Sequence, residues 1–240
     1  MIRFIICASF AVLFLVGTLP ILLIEFIIGL FAPNVRARSC QFIIKWVFKA
    51  LLFLAGAHID FIGEENVPKD KAVLYTPNHR SIFDVIMTYT RCPLQTGYVA
   101  KKETSYIPIF NIWMAFMNCT FLDRKDLRKG LNVIKHCIDL IKENVSICIF
   151  PEGTRNKGDE PLLPFHQGSF KIAEKTGCLI VPVAITNSAD IFEAHLPFVK
   201  STHVTVEYCK PIDVSKLDRS QYKEIGNMVS AEILEALSRH

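Results

Sequence analysis

The chain of 240 residues carries 27 Lys and Arg against 23 Asp and Glu, a formal net charge of +4, and is 51% hydrophobic. This composition excludes a disordered chain, and the length suits one domain or a domain with an attachment. The surplus charge lies in the first 50 residues, where Arg3, Arg36, Arg38, Lys45 and Lys49 face Glu25 alone; the rest balances, which excludes a globally basic nucleic-acid-binding protein.

The stretch from Phe4 to Ala32 is apolar and holds no charge before Glu25. About 20 such residues span a bilayer core as a helix. A secretory signal would begin in the same way behind Arg3, but Ala32-Pro33-Asn34 is a poor cleavage site. Pro20 and Glu25 interrupt the run, so a kinked or re-entrant helix stands beside a straight crossing. A second helix is expected over Cys40–Ala57, where Gln41, Lys45 and Lys49 recur every fourth residue as a narrow stripe on an apolar surface. The lysines are expected to snorkel to anionic membrane lipids, the alternative being a helix packed on the following domain. The basic residues after the first segment place the remainder on the cytoplasmic side of the inner or cytoplasmic membrane.

From residue 61 short strands alternate with helices. Strands are expected at Lys71–Thr76, Gln95–Ala100, Ser146–Phe150, Leu179–Ile185 and His203–Tyr208. Helices are expected at Ser81–Tyr89, Ile107–Phe116, Lys125–Lys142, Ser169–Lys175 and Leu217–Ser238. The alternation predicts an α/β layer architecture with a largely parallel or mixed sheet. Two units follow: a membrane-anchoring helical module at 1–57 and a catalytic-sized domain at 58–240. The eight cysteines are scattered, with no CxxC pair, so neither a disulfide framework nor a metal site is expected.

Two polar clusters fall where predicted strands end, the usual position of sites in such sheets. In Thr76-Pro-Asn-His-Arg-Ser-Ile-Phe-Asp84, a helix starting near Ser81 leaves His79 on the preceding loop and lets Asp84 reach back to hold its imidazole. The alternative is purely structural, because Ser81-x-x-Asp84 also reads as a capping box. In Phe150-Pro-Glu-Gly-Thr-Arg155 a strand runs into a glycine turn, where Thr154 and Arg155 can grip an anion. Glu152 suits an orienting role toward an arginine or the turn backbone, and Gly153 a backbone conformation that other residues resist. No GxxxxGK[ST] or GxGxxG pattern supports a nucleotide site, and no GxSxG elbow supports a hydrolase.

Asn78-His79-Arg80-Ser81-Ile82-Phe83-Asp84 resembles the NHxxxxD signature of the glycerolipid acyltransferases, and Pro151-Glu152-Gly153-Thr154-Arg155 resembles their EGTR block. Ala100-Lys101-Lys102-Glu103 with Ile107-Pro108, then Phe121-Leu122-Asp123-Arg124, is similar to the family's intervening segment. Val181-Pro182-Val183, Val204-Thr205-Val206 and Lys210-Pro211-Ile212 are similar to its closing blocks. The resemblance implies a layered acyltransferase domain behind a two-helix module seated on one leaflet. It implies transfer of a fatty acyl group from acyl-CoA or acyl-ACP to the free hydroxyl of lysophosphatidic acid, with no bound cofactor and no metal. His79 would be the general base and Asp84 its orienting partner. Lys101, Arg124, Glu152, Gly153, Thr154 and Arg155 would bind the acceptor, the arginines nearest its phosphate.

Another lysophospholipid, a lyso-aminolipid or glycerol 3-phosphate are the alternative acceptors. A non-catalytic protein binding anionic lipid would explain the local charge but not the order of the blocks. The tetrahedral oxyanion is expected to meet backbone N–H groups near a helix start. Two departures stand out: His166 and Gln167 where relatives often carry lysines, and Phe110 and Asn111 after Ile107-Pro108, where glycine is usual.

Overall fold

A computed structural model describes residues 1–123 and 126–240. The apolar N-terminus forms α1 (Ile2–Gly17) and α2 (Leu19–Phe31), followed by α3 (Pro33–Ala55). Pro20 sits in the first turn of α2, where its missing N–H costs nothing there but cannot continue the ladder of α1. The two helices meet at 50°, and only as this bent pair do they have the length and apolarity of a membrane span; no single helix among the described residues does. Pro33 likewise opens α3, so that helix starts seven residues ahead of the expected Cys40.

The polar stripe of α3 does not point where the sequence suggests. Gln41 is buried and its Nε2 donates to the carbonyl of Leu94 at 2.9 Å, while Lys45 Nζ donates to the carbonyl of Cys92. Both groups dock the helix on the loop after α4 (Ile82–Arg91), so of the stripe only Lys49 lies exposed. Phe42, Trp46 and Phe53 face outward instead, at 76%, 63% and 84% exposure. The alternative of a helix packed on the following domain holds for the side that carries Cys40, Gln41, Ile44 and Val47, and the side that carries Phe42, Trp46 and Phe53 is left uncovered.

The domain behind these helices is one eight-stranded sheet. Its strands are β1 (Ala57–Ile62), β2 (Leu74–Pro77), β3 (Thr96–Lys101), β4 (Thr120–Leu122), β5 (Ser146–Cys148), β6 (Leu179–Thr186), β7 (Thr202–Tyr208) and β8 (Ile212–Asp213). The order is β1-β7-β6-β2-β5-β3-β4, with β8 added beside β6. Every neighbouring pair is parallel except β6 with β7 and with β8, which makes the sheet mixed but largely parallel. The strands β1, β4 and β8 escape sequence reading: β4 and β8 are two or three residues long, and β1 follows directly on an apolar helix. Gly56, at φ 71°, ends that helix in the left-handed conformation and releases the chain into β1.

Strand alternation sends side chains to two separate cores. Val73, Tyr75, Val181 and Val183 pack with Met87 and Trp113 beneath α3, α4 and α5 (Phe110–Phe116). Leu74, Ile147, Ile180 and Phe170 pack with Ile172, Val229 and Ile233 beneath α6 (Leu127–Lys142), α7 (Lys171–Thr176) and α8 (Ile225–Leu237). Burial on both faces explains why these strands read as continuous apolar runs. Because all five strands from β6 to β4 run the same way, their C-terminal ends open on one edge of the sheet.

Two backbone positions carry the tightest constraints. Ile109 has φ 66° and ψ −48°, and the N–H of Phe110 donates to the carbonyl of Pro108 at 2.7 Å, the geometry of a strained γ-turn. The conformation for which glycine is suited thus falls on Ile109, one residue ahead of the Phe110 and Asn111 singled out in the sequence. Gly63, at φ 73°, closes β1 where a Cβ would overlap the carbonyl oxygen of Tyr208. Gly63→Ala is expected to cost about 2 kcal/mol, roughly 4–8 °C in the melting midpoint; thermal denaturation followed by circular dichroism measures it, and an unchanged midpoint would contradict the overlap.

Candidate active site

The two motifs meet because β2 and β5 are parallel neighbours, with Leu74 opposite Ile147 and Tyr75 opposite Cys148. Each strand ends at the same edge, β2 delivering Asn78 and His79, β5 delivering Phe150 to Arg155. Asn78 prolongs the sheet with its side chain: Nδ2 donates to the carbonyl of Ile185 at 3.0 Å and Oδ1 accepts from the N–H of Ile185 at 2.8 Å. The backbone of His79 is clamped from both sides, its N–H donating to Glu152 Oε1 at 2.7 Å and its carbonyl accepting from Asn156 at 2.7 Å.

The imidazole of His79 lies 2.9 Å from Asp84, Nδ1 to Oδ2, with its ring against that of Phe150 at 4.1 Å between centroids. Asp84 occupies the third position of α4 and is fully buried. Its Oδ2 also accepts from the N–H groups of Arg80 and Ser81, both at 2.7 Å. The capping box is real, since Ser81 Oγ accepts from Phe83 N–H at 3.0 Å while Asp84 reaches back. Capping and histidine orientation are therefore one structure, and the two readings of this segment are not alternatives. With Asp84 Oδ2 as the acceptor, Nδ1 carries the hydrogen, and this tautomer leaves the lone pair on Nε2.

The start of α4 has no N–H to spare. From His79 through Asp84 every backbone N–H is engaged: by Glu152, by Asp84 twice, by Glu193, by Ser81 Oγ and by the Ser81 carbonyl. The sequence leads to the expectation of oxyanion donors near a helix start without naming the helix, and the start of α4 offers none that is free.

Glu152 is 3% exposed and both its oxygens serve backbone, Oε1 for His79 and Oε2 for Leu163 at 2.8 Å. Burial pushes its carboxyl above the ordinary carboxylate range, and the two N–H groups pull it back. Its position is that of an internal tie between the histidine loop and the segment after the turn. Gly153 has φ 72° and its N–H donates to the carbonyl of Phe150 at 3.0 Å, which makes the turn possible. Thr154 and Arg155 project from it into solvent. Arg80 steadies the neighbouring loop through the carbonyl of Gly158 at 2.6 Å, and the N–H of His166 donates to the carbonyl of Pro151 at 2.9 Å, so the divergent block docks behind the turn.

Lys101, at the end of β3, forms an exposed pair with Glu103 at 3.4 Å; among the described residues it makes no contact with the His79–Arg155 cluster. Its neighbour Lys102 is held by Asp123 at 2.8 Å. Arg124 lies outside the described residues. Sequence reasoning missed Glu193, whose carboxylate joins Arg155 to the start of α4, and the buried Asn156. Asn156 had a signal in its adjacency to Arg155, whereas Glu193 stands far along the chain with none. Burial raises the cysteine thiols, those of Cys119 and Cys209 to about 12, which suits apolar packing and not nucleophilic attack. No three His, Cys, Asp or Glu side chains gather as a metal site among the described residues.

A sequence model of the acyltransferase family matches residues 58–186. A 1-acyl-sn-glycerol-3-phosphate acyltransferase of Borreliella burgdorferi is 34% identical over 191 residues, covering 79% of this chain and 75% of that one. One of the same name from Helicobacter pylori is 31% identical over 197 residues, covering 79% and 78%. The crystal structure of a 1-acyl-sn-glycerophosphate acyltransferase from Thermotoga maritima superposes with a TM-score of 0.83 at 21% identity, over 99% of this chain and 94% of that one, a likeness of fold.

Replacing Glu152 tests the internal tie. Glu152→Ala leaves two buried N–H groups without acceptors and is expected to lower stability by about 2–4 kcal/mol. Glu152→Gln should recover only part, because its amide can accept from one N–H but turns a donor toward the other. Thermal melting distinguishes the three proteins; equal midpoints would refute the role.

Proposed function

The chain belongs to the acyltransferase family, and we propose that it moves a fatty acyl group from acyl-CoA or acyl-ACP to the sn-2 hydroxyl of 1-acyl-sn-glycerol 3-phosphate, forming phosphatidic acid. The His79–Asp84 pair at 2.9 Å is the observation that carries this reading. The names of the bacterial relatives at 34% and 31% identity support the choice of acceptor.

In this scheme Nε2 of His79 takes the hydroxyl proton as the oxygen attacks the thioester carbonyl. Asp84 fixes the ring and stabilises the imidazolium through Nδ1. The tetrahedral adduct then collapses, the C–S bond breaks, and the departing thiolate recovers the proton from His79. A thioester is already activated, so no resident cofactor is needed, and CoA or the carrier protein leaves as the thiol. Arg155, on the exposed turn, is the cation for the acceptor's phosphate, with Thr154 beside it; Gly153 and Glu152 hold that turn in place. Lys101 and Arg124 are proposed as outer contacts of the same headgroup.

Both acceptor and product keep an acyl chain in lipid, so we place the site at a membrane surface with the domain on the cytoplasmic side. The support is the outward apolar face of α3, with Phe42, Trp46 and Phe53 beside Lys49, and the exposed apolar side chains of α1 and α2.

His79→Ala is expected to lower turnover about 10²–10⁴-fold with the melting midpoint nearly unchanged. The assay follows phosphatidate from lysophosphatidate and either acyl donor, with other lysophospholipids, a lyso-aminolipid and glycerol 3-phosphate as competing acceptors. Near-normal activity in the variant, or preference for another acceptor, would overturn the mechanism or the substrate respectively. Replacing Phe42, Trp46 and Phe53 together with Ser should reduce partition into anionic vesicles about tenfold or more. Sedimentation with vesicles measures this, and unaltered partition would remove α3 from the membrane contact.

A further inference from the structure

We propose that Glu193 is a positioning residue: it fixes the guanidinium of Arg155 in the orientation that receives the phosphate of the acceptor, an inference that rests on the acyl-transfer reading above. Arg155 sits on an exposed turn, with 42% of its side chain accessible, and a free arginine there would lose much rotamer entropy on gripping a headgroup. The contact with Glu193 removes that freedom beforehand. Nη1 of Arg155 donates to Glu193 Oε1 at 2.7 Å.

The carboxylate is itself held without help from Arg155. Oε1 also accepts the N–H of Ile82 at 2.8 Å, and Oε2 accepts the hydroxyl of Ser81 at 2.6 Å. Both partners belong to the capped start of α4, the element that also carries Asp84. A negative charge there is favoured by the helix dipole. One carboxylate thus ties the arginine of the turn after β5 to the helix that orients His79.

The segment bearing Glu193 is anchored by the two residues just ahead of it. Ile191 is fully buried and its carbonyl accepts from the N–H of Lys200 at 2.9 Å. The ring of Phe192 stacks on Phe4 of α1 at 5.7 Å, nearly parallel at 11°. The carboxylate therefore stands on a braced strap, with α1 on its far side.

Arg155 engages Glu193 through Nη1 alone among the described residues, so Nη2 and Nε stay available for phosphate oxygens. Glu193 gives up nothing when the phosphate arrives, which distinguishes a positioning residue from a carboxylate that occupies the phosphate's own place.

The test uses the full chain in detergent micelles. Binding of 1-acyl-sn-glycerol 3-phosphate, without acyl donor, is measured by calorimetry for the wild type, Glu193→Gln, Arg155→Ala and the double variant. Each single change is expected to weaken binding about tenfold, and the double variant to bind no more weakly than Arg155→Ala alone. In turnover, Glu193→Gln should raise KM about tenfold with kcat within about threefold, and its melting midpoint should stay close to wild type. Additive losses, unaltered binding, or a fall in kcat with KM unchanged would overturn the inference. Tighter binding by Glu193→Gln would also overturn it, by making Glu193 a competitor of the phosphate. Wild-type binding of the acceptor without any turnover would instead sink the acyl-transfer reading and leave the role of Glu193 to the binding result, while absence of wild-type binding overturns the role as well.

Discussion

The parallel pairing of β2 with β5 is the constraint on which the rest of the molecule depends. Parallel neighbours end on the same edge, so a histidine leaving one and an arginine leaving the other arrive together although 76 positions separate them in the chain. The apolar side chains of both strands secure that pairing from two sides, Tyr75 and Cys148 in one core, Leu74 and Ile147 in the other. Everything polar in the site is then a matter of short ties across a gap already closed by hydrophobic burial. Glu152 makes the tie in the backbone, and Asp84 makes it within one helix turn.

Economy marks the start of α4. One carboxylate oxygen, Oδ2 of Asp84, serves the imidazole and two backbone N–H groups at once, while a second carboxylate, from Glu193, takes the N–H of Ile82. Satisfying the helix end and aiming the histidine are the same event, so the loop before the helix has little freedom to let His79 drift. In the proposed mechanism, stabilisation of a developing oxyanion would fall to groups other than these N–H donors. His79 is thus tied through its backbone as well as its ring, which suits the proposed role of a base that meets a proton at a fixed point.

The layered α/β class, the order of its main elements and the pairing of His79 with Asp84 were legible in the sequence because each rests on local pattern. Buried strands read as apolar runs, and a capping box read at Ser81 locates the helix start that brings Asp84 back to His79. What stayed hidden depends on distant packing. Nothing near Glu193 announces that it reaches the start of α4, since the contact spans more than 100 positions of chain. The orientation of α3 was hidden for a related reason: a stripe of Gln41 and Lys45 satisfies the periodicity whether it meets water, headgroups or two protein carbonyls, and only the carbonyls of Cys92 and Leu94 settle which. Short strands such as β4 and β8 have too few residues to alternate visibly. The turn at Ile109 stayed hidden because isoleucine gives no sequence signal for a positive φ.

The inner face of α3 joins apolar packing by Cys40, Ile44 and Leu52 to the polar ties of Gln41 and Lys45, while Phe42, Trp46 and Phe53 are turned outward. The carbonyls of Leu94 and Cys92 that hold Gln41 and Lys45 fix the rotation of the helix about its own axis, and with it the outward direction of the three aromatic side chains. At a membrane surface, such docking would work as a gauge of depth. In the membrane seating proposed above, with the aromatic side in the acyl layer, the edge that carries His79 would ride at one height above the lipid, determined by the contact between helix and domain. Under that proposal, bilayer thickness and headgroup size would enter the rate through geometry, by changing how far an acceptor's hydroxyl must rise to meet a nitrogen that does not come down to it.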